Sequence, residues 1–174
     1  MTDSTARPRA SQEDLLAKLT ALDISHEVFS HPPVFTVEEA AATHGTIPGV
    51  HCKNLFLRDA KKKPWLVVCP FDRAIDMKAL PDLIGSKRLS FGSADRLMEY
   101  LGVEPGSVTP FALINDPDHT VRVVLDAWMM EQPIVTYHPL VNTATVSLAS
   151  GDLLRFIADC GHDPAIVDLR GMSA

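Results

Sequence analysis

The sequence predicts a single α+β (mixed α/β) domain with a curved, largely antiparallel or mixed sheet of about seven short strands flanked by helices. Three observations carry this. Apolar residues switch between alternate spacing (Ala144, Val146, Leu148) and helical spacing (Leu15, Leu19, Leu22). Most links between neighbouring strands are turns too short for a parallel crossover. The 174 residues, 46% apolar, suit one domain that buries a sizeable core. The domain is expected over residues 11–170, with residues 1–10 as a disordered tail.

In chain order, Ser11 opens a helix, with Asp14 completing a variant capping box. Ser25 to Ser30 reads as a strand, which His31-Pro32-Pro33 ends. Thr36-Val37-Glu38-Glu39 is a full capping box behind Phe35, so an alanine-rich helix is expected to His44-Gly45. Pro48-Gly49 turns into a strand over 50–57, and the Lys61-Lys62-Lys63 turn leads back into Trp65 to Cys69. That run is apolar throughout, as in an interior strand. Asp76 caps a short helix to Leu80, interrupted at Pro81. Arg88 to Phe91 is a brief strand, and Ser93 and Gly102 bracket a helix. Gly106 to Phe111 has no clear period and reads as a loop, and Ala112 to Ile114 as a short strand or turn. Strands follow at 121–126, 133–137 and 142–148, and Ser150 caps the last helix, which Gly161 ends.

The strand from Gly49 to Asp59 carries the first chemical signal. Alternation puts Val50, Cys52, Asn54 and Phe56 on one face, and His51, Lys53, Leu55 and Leu57 on the other. Lys53 therefore stands in an apolar row, where an ammonium needs a partner or a cleft. A late strand start, with Lys53 snorkelling to water, explains the pattern equally well. By the same alternation Lys53 and Asn54 cannot both face one pocket on a regular strand.

Composition narrows the function classes. A net charge of −6 argues against coating long nucleic acid by bulk electrostatics, but leaves room for a local basic patch. Arg58 with Lys61, Lys62 and Lys63 supplies one, and Lys87-Arg88 a second; a solvated hairpin loop is the plainer reading of the first. Three widely spaced cysteines without a Cys-x-x-Cys pair point to the cytoplasm and to small buried hydrophobes. No apolar run approaches the roughly 20 residues that cross a bilayer, and no secretory signal is expected. Dinucleotide, Walker and nucleophile-elbow motifs are missing, and the seven histidines lack metal-ligand spacing. No cofactor and no metal are expected.

What remains is a constellation: Lys53-Asn54, the loop Gly106 to Phe111, and Tyr137-His138-Pro139 with Asn142. Each alone has a structural explanation. Together with Phe35-Thr36-Val37-Glu38-Glu39-Ala40, the strings Cys52-Lys53-Asn54-Leu55-Phe56-Leu57, Gly106-Ser107-Val108-Thr109-Pro110-Phe111 and His138-Pro139-Leu140-Val141-Asn142-Thr143-Ala144-Thr145 resemble the YbaK/prolyl-tRNA synthetase-associated editing domain family. The resemblance spans residues 12–160 and is strongest to the free-standing ProX (ProXp-ala) branch. It implies a YbaK-like fold and an aminoacyl-tRNA deacylase that hydrolyses a mischarged ester, alanyl-tRNA(Pro) first. Its partners would be a tRNA acceptor end carrying a small amino acid and, as a further candidate, prolyl-tRNA synthetase. Under it Lys53 stabilises charge developing during attack, and His138 shapes the loop at the ester and positions substrate. Gly106, Ser107 and Thr109 supply backbone approach and hydroxyl contacts. Asn142 orients the His138 loop, Asn54 touches substrate if the strand is irregular there, and Phe35 and Thr36 wall the pocket. Cysteinyl- or seryl-tRNA as substrate, or a non-catalytic tRNA- or synthetase-binding module, are the alternatives.

Overall fold

The computed structural model describes residues 9–33, 38, 39, 42 and 45–171. Helix α1, Gln12–Ala21, starts at a complete Ser11/Asp14 capping box and buries Leu15 and Leu19. Strand β1, His26–Ser30, follows. The long strand β2, Val50–Asp59, turns through the lysines into β3, Pro64–Pro70, which is buried along its whole length. After α2 (Leu80–Ile84), β4 (Leu89–Phe91) and α3 (Ala94–Leu101) come two short 3-10 turns, Pro105–Ser107 and Pro110–Asn115. Strand β5 (Arg122–Asp126), α4 (Ala127–Glu131), β6 (Ile134–Tyr137), β7 (Ala144–Ala149), α5 (Ser150–Asp159) and β8 (Ala165–Val167) complete the order.

The strands run β1-β7-β6-β2-β3-β5-β8, with β4 on β2. The sheet is mixed. The pairs β1–β7, β6–β7, β2–β3 and β2–β4 are antiparallel, whereas β2–β6, β3–β5 and β5–β8 are parallel. The parallel share arises from contacts distant in sequence, whose long connections hold the helices. The main core packs α1, α3 and α5 against one face through Leu15, Leu101, Phe111, Leu125, Val146 and Phe156. A smaller core on the other face gathers Leu57, Trp65, Val67, Leu80 and Leu169. Strand β2 supplies both, with Phe56 in the first and Leu57 in the second.

Several expected boundaries move. The helix expected from Asp76 to Leu80 begins at Leu80 instead, with Pro81 in its first turn, where a missing N–H costs nothing. The last helix is preceded by Ala149, and Ser150 is its first residue without capping it. Residues 112–114 form part of a 3-10 turn, not a strand. Strand β8 and helix α4 are additions; Asp126 caps α4 by accepting from the Met129 N–H at 2.9 Å. The alanine-rich helix, with Phe35, Thr36 and His44, lies mostly outside the described residues.

Candidate functional site

Strand β2 changes partner along one edge. Its start pairs with β6, Val50 beside Val135 and His51 beside Thr136. Its end pairs with β4, from Leu57–Phe91 to Asp59–Leu89. Between them, residues 52–55 have no strand on that edge among the described residues. The Phe71 N–H bonds His51 O on the β3 side, whereas the Gly92 N–H bonds Phe56 O on the β4 side. By alternation the backbone N–H and C=O of Asn54 face the gap. The parallel strands β2 and β6 thus part into a fork, the kind of crevice in which open sheets bind ligands.

Lys53 and His138 stand on opposite arms of this fork. The paired register ends at His51–Thr136, and each residue lies two positions beyond it, Lys53 within β2 and His138 just past the end of β6. Lys53 is half-buried, opposite Cys69 in the β2–β3 pair, and its ammonium donates to Arg73 O. That segment is braced in turn, since Arg73 Nε meets the fully buried Asp126 carboxylate at 3.0 Å. Snorkelling is therefore not needed to explain Lys53.

Asn54 points to the main-core side with Cys52 and Phe56, so the expected opposition of Lys53 and Asn54 holds. Its Oδ1 is buried and has no hydrogen-bond partner among the described residues. Leaving such an acceptor unmade costs about 1–3 kcal/mol, which suits a group kept for a ligand. Among the described residues no strand pairs with 52–55 on that edge, so Lys53 and Asn54 stand on the two faces of an unpaired stretch of β2.

The His138 imidazole is defined by its bonds. Nδ1 lies 2.9 Å from Ala144 O and must donate, because a carbonyl only accepts. Nε2 then carries the lone pair. Burial, with the charge of nearby His31, pulls the His138 pKa below its ordinary 6.5, against the opposing Ala144 bond. His138 is therefore neutral at pH 7, an acceptor rather than a cation.

The loop pair lies on the main-core side. A Cβ placed on Gly106 would sit 3.4 Å from Asn142 Nδ2, so these two residues meet. Ser107 and Asn142 also line a cavity of about 410 Å³, together with Met98, Val103 and Leu140. Lys53, Asn54 and His138 are not among its lining residues, so it is an annex of the loops rather than the centre of the fork. Thr109 is fully buried, and its hydroxyl accepts from the Phe111 N–H at 3.3 Å. Phe111 anchors the loop, edge-on to Tyr137 at 6.0 Å and Phe156 at 5.3 Å. His31, in sequence a proline-turn residue, lies 2.8 Å from Thr145 Oγ1, a contact between residues 114 apart in sequence.

Burial raises the thiols of Cys52 and Cys69 to about 12 and that of Cys160 to about 11, so none is a thiolate near neutrality. Among the described residues no group of three or more His, Cys, Asp and Glu is placed to hold a metal ion, and no helix is long and apolar enough to cross a membrane. The β2–β4 pair sets Ser90 against Arg58 and Leu89 against Asp59, so Lys87-Arg88 leads into the strand that borders the Arg58 end of β2.

Residues 31–156 match the model of the aminoacyl-tRNA editing domain. The chain is 39% identical over 160 residues to the prolyl-tRNA editing protein ProX of Acetoanaerobium sticklandii, covering 91% of this chain and 98% of that one. It is 42% identical over 168 residues to the prolyl-tRNA synthetase associated domain-containing protein 1 of Bos taurus, covering 94% and 96%. A crystal structure of a hypothetical protein superposes with TM-score 0.69 at 22% identity, over 88% of this chain and 97% of that one. A second, described as a candidate trans-editing enzyme for prolyl tRNA synthetase, does so with TM-score 0.67 at 19% identity, over 92% and 99%. At these identities the structures speak for the fold alone.

Proposed function

The chain belongs to the aminoacyl-tRNA editing domain family, an enzyme family that deacylates mischarged tRNA, and on that premise we propose that its substrate is alanyl-tRNA(Pro). The chemical need is plain. A site built for proline rejects the smaller alanine weakly, because a methylene is worth only about 1–3 kcal/mol. A second, smaller site that excludes proline removes the error by hydrolysis. The relatives named for prolyl-tRNA editing and for a synthetase-associated domain support this choice, with prolyl-tRNA synthetase as the partner that hands over the tRNA.

The observation that carries the reading is the fork, with a lysine on one arm and a neutral histidine on the other. In the proposed reaction a water oxygen attacks the ester carbonyl carbon. The Lys53 ammonium stabilises the negative charge that grows on the carbonyl oxygen. His138 Nε2 accepts a hydrogen bond from the vicinal ribose hydroxyl or the water and orients it. The carbon–oxygen ester bond breaks and the proton passes to the ribose oxygen, which leaves free alanine and tRNA. With the thiols protonated, water is the natural nucleophile. Asn54 Oδ1 accepts from the α-ammonium of the aminoacyl group. Gly106, Ser107 and Asn142 belong to the loops beside the fork and contact the aminoacyl end from the Asn54 side, and Thr109 shapes their loop. Phe35 and Thr36, which the sequence offers as pocket walls, lie outside the described residues. The Arg58/Lys61–Lys63 and Lys87-Arg88 segments take acceptor-stem phosphates.

A deacylation panel tests this. Wild-type protein is expected to hydrolyse alanyl-tRNA(Pro) and to spare prolyl-tRNA(Pro). Lys53→Ala is expected to lose the activity at least about 10²-fold, as when a donor to a developing oxyanion is removed, while keeping the wild-type thermal melt. Preference for cysteinyl- or seryl-tRNA would reassign the amino acid, and unimpaired hydrolysis by Lys53→Ala would remove Lys53 from the mechanism.

A further inference from the structure

We propose that His31 is a positioning residue: it pins the loop that carries His138 and so fixes the His138 ring with Nδ1 occupied and Nε2 open. The inference rests on the role given to His138 above. It starts from the end of β1, where Ser30 pairs with Ala144 and Phe29 with Thr145. Just beyond, the His31 backbone N–H bonds Thr143 O at 2.9 Å, and His31 Nε2 lies 2.8 Å from Thr145 Oγ1. His138 Nδ1 bonds the residue between them, at Ala144 O. His31 therefore grips both neighbours of the one residue that orients His138. The two rings stand 6.1 Å apart and tilted by 55°.

The choice of histidine follows from hydrogen-bond roles. His31 Nδ1 lies 2.8 Å from Pro32 O and must donate. In the neutral ring Nε2 is then an acceptor, and the Thr145 hydroxyl donates to it. A rigid ring that donates at one nitrogen and accepts at the other meets both demands. Phenylalanine fills similar space but meets neither. Glutamine reaches the Nε2 position with an amide oxygen and restores the Thr145 bond. The pre-proline position also restricts the His31 backbone, so the grip costs little further entropy.

The experiment compares His31→Phe, His31→Gln, Thr145→Val and the His31→Phe/Thr145→Val double variant. Each is assayed for kcat and KM on aminoacyl-tRNA, for thermal melt, and for the ring-nitrogen NMR signals of His138. His31→Phe is expected to lower kcat between about 10-fold and 10²-fold, the scale of a misplaced catalytic group, with KM and melt near wild type. Thr145→Val should match it, and the double variant should be no worse, because both remove one interaction. His31→Gln should recover most of the rate. The NMR signals should change from one Nδ1–H form of His138 to a mixture in His31→Phe. A loss confined to the melt or to KM, additive losses, or an unchanged His138 spectrum would overturn the proposal. The spectrum is read without substrate, so it separates a failure here from a failure of the deacylase reading, which the wild-type assay reports.

Discussion

His138 is the residue whose chemistry depends most on its bonds. Its Nδ1 is committed to Ala144 O, and burial holds its pKa below 6.5. The sign follows directly. The acceptor form exists above that lowered pKa and is lost as pH falls through it. Deacylation is thus expected to stay level from neutral pH down past 6.5 and to fall only below, and His138→Asn should abolish that acid limb. A limb centred at or above 6.5 in a kcat–pH profile would contradict the neutral-acceptor role. Lys53 and His138 both stand out in the sequence, one as a lysine in an apolar row and the other within a string that resembles the editing family. His31 does not, since its meaning lies in a hydrogen bond to Thr145, far along the chain.

At the scale of elements, the fork exists because β2 is longer than β6 and β4 together can cover. Gly92 secures its β4 end. A Cβ there would lie 2.4 Å from two carbons of the Phe56 ring, and the Gly92 N–H bonds Phe56 O. Phe56 is only 6% exposed and packed in the main core, so the ring has little freedom to retreat. Gly92→Ala is expected to cost about 1–3 kcal/mol, lowering the melt by about 2–4 °C for each kcal/mol. An unchanged calorimetric melt would mean that the β2–β4 junction adapts freely. The β2–β3 hairpin was readable from its alternation and its lysine turn. Its partner on the other edge was not, because the β2–β6 contact joins residues about 85 positions apart.

Across the whole molecule, a chain of net charge −6 carries an exposed Lys61–Lys63 turn next to Arg58, with β4 and the preceding Lys87-Arg88 paired along the end of β2. The surrounding negative charge would discourage indiscriminate RNA binding while these segments receive the acceptor stem. Activity at low substrate is expected to fall with salt, and the Lys61→Gln/Lys62→Gln/Lys63→Gln variant should flatten that dependence. Each phosphate that the variant no longer neutralises should reduce the slope of log(kcat/KM) against log salt by about 0.7–0.9, with kcat unchanged. An identical slope in the variant would take the lysine turn out of tRNA contact.

The sequence by itself determined the class of fold, the helix starts at Ser11 and Ser93, and the motif strings that mark the editing family. These rest on periodicity, capping and short strings, which are properties of neighbours in the chain. The tertiary fold, by contrast, sets where the β2–β6 pairing stops, lays β4 along Arg58, and ties His31 to Thr143 and Thr145. It also resolved the opposition of Lys53 and Asn54. Alternation does separate them, onto the two faces of a stretch of β2 that no described strand pairs on the β6/β4 edge. Those outcomes depend on which distant strands share an edge, and local periodicity carries no record of that.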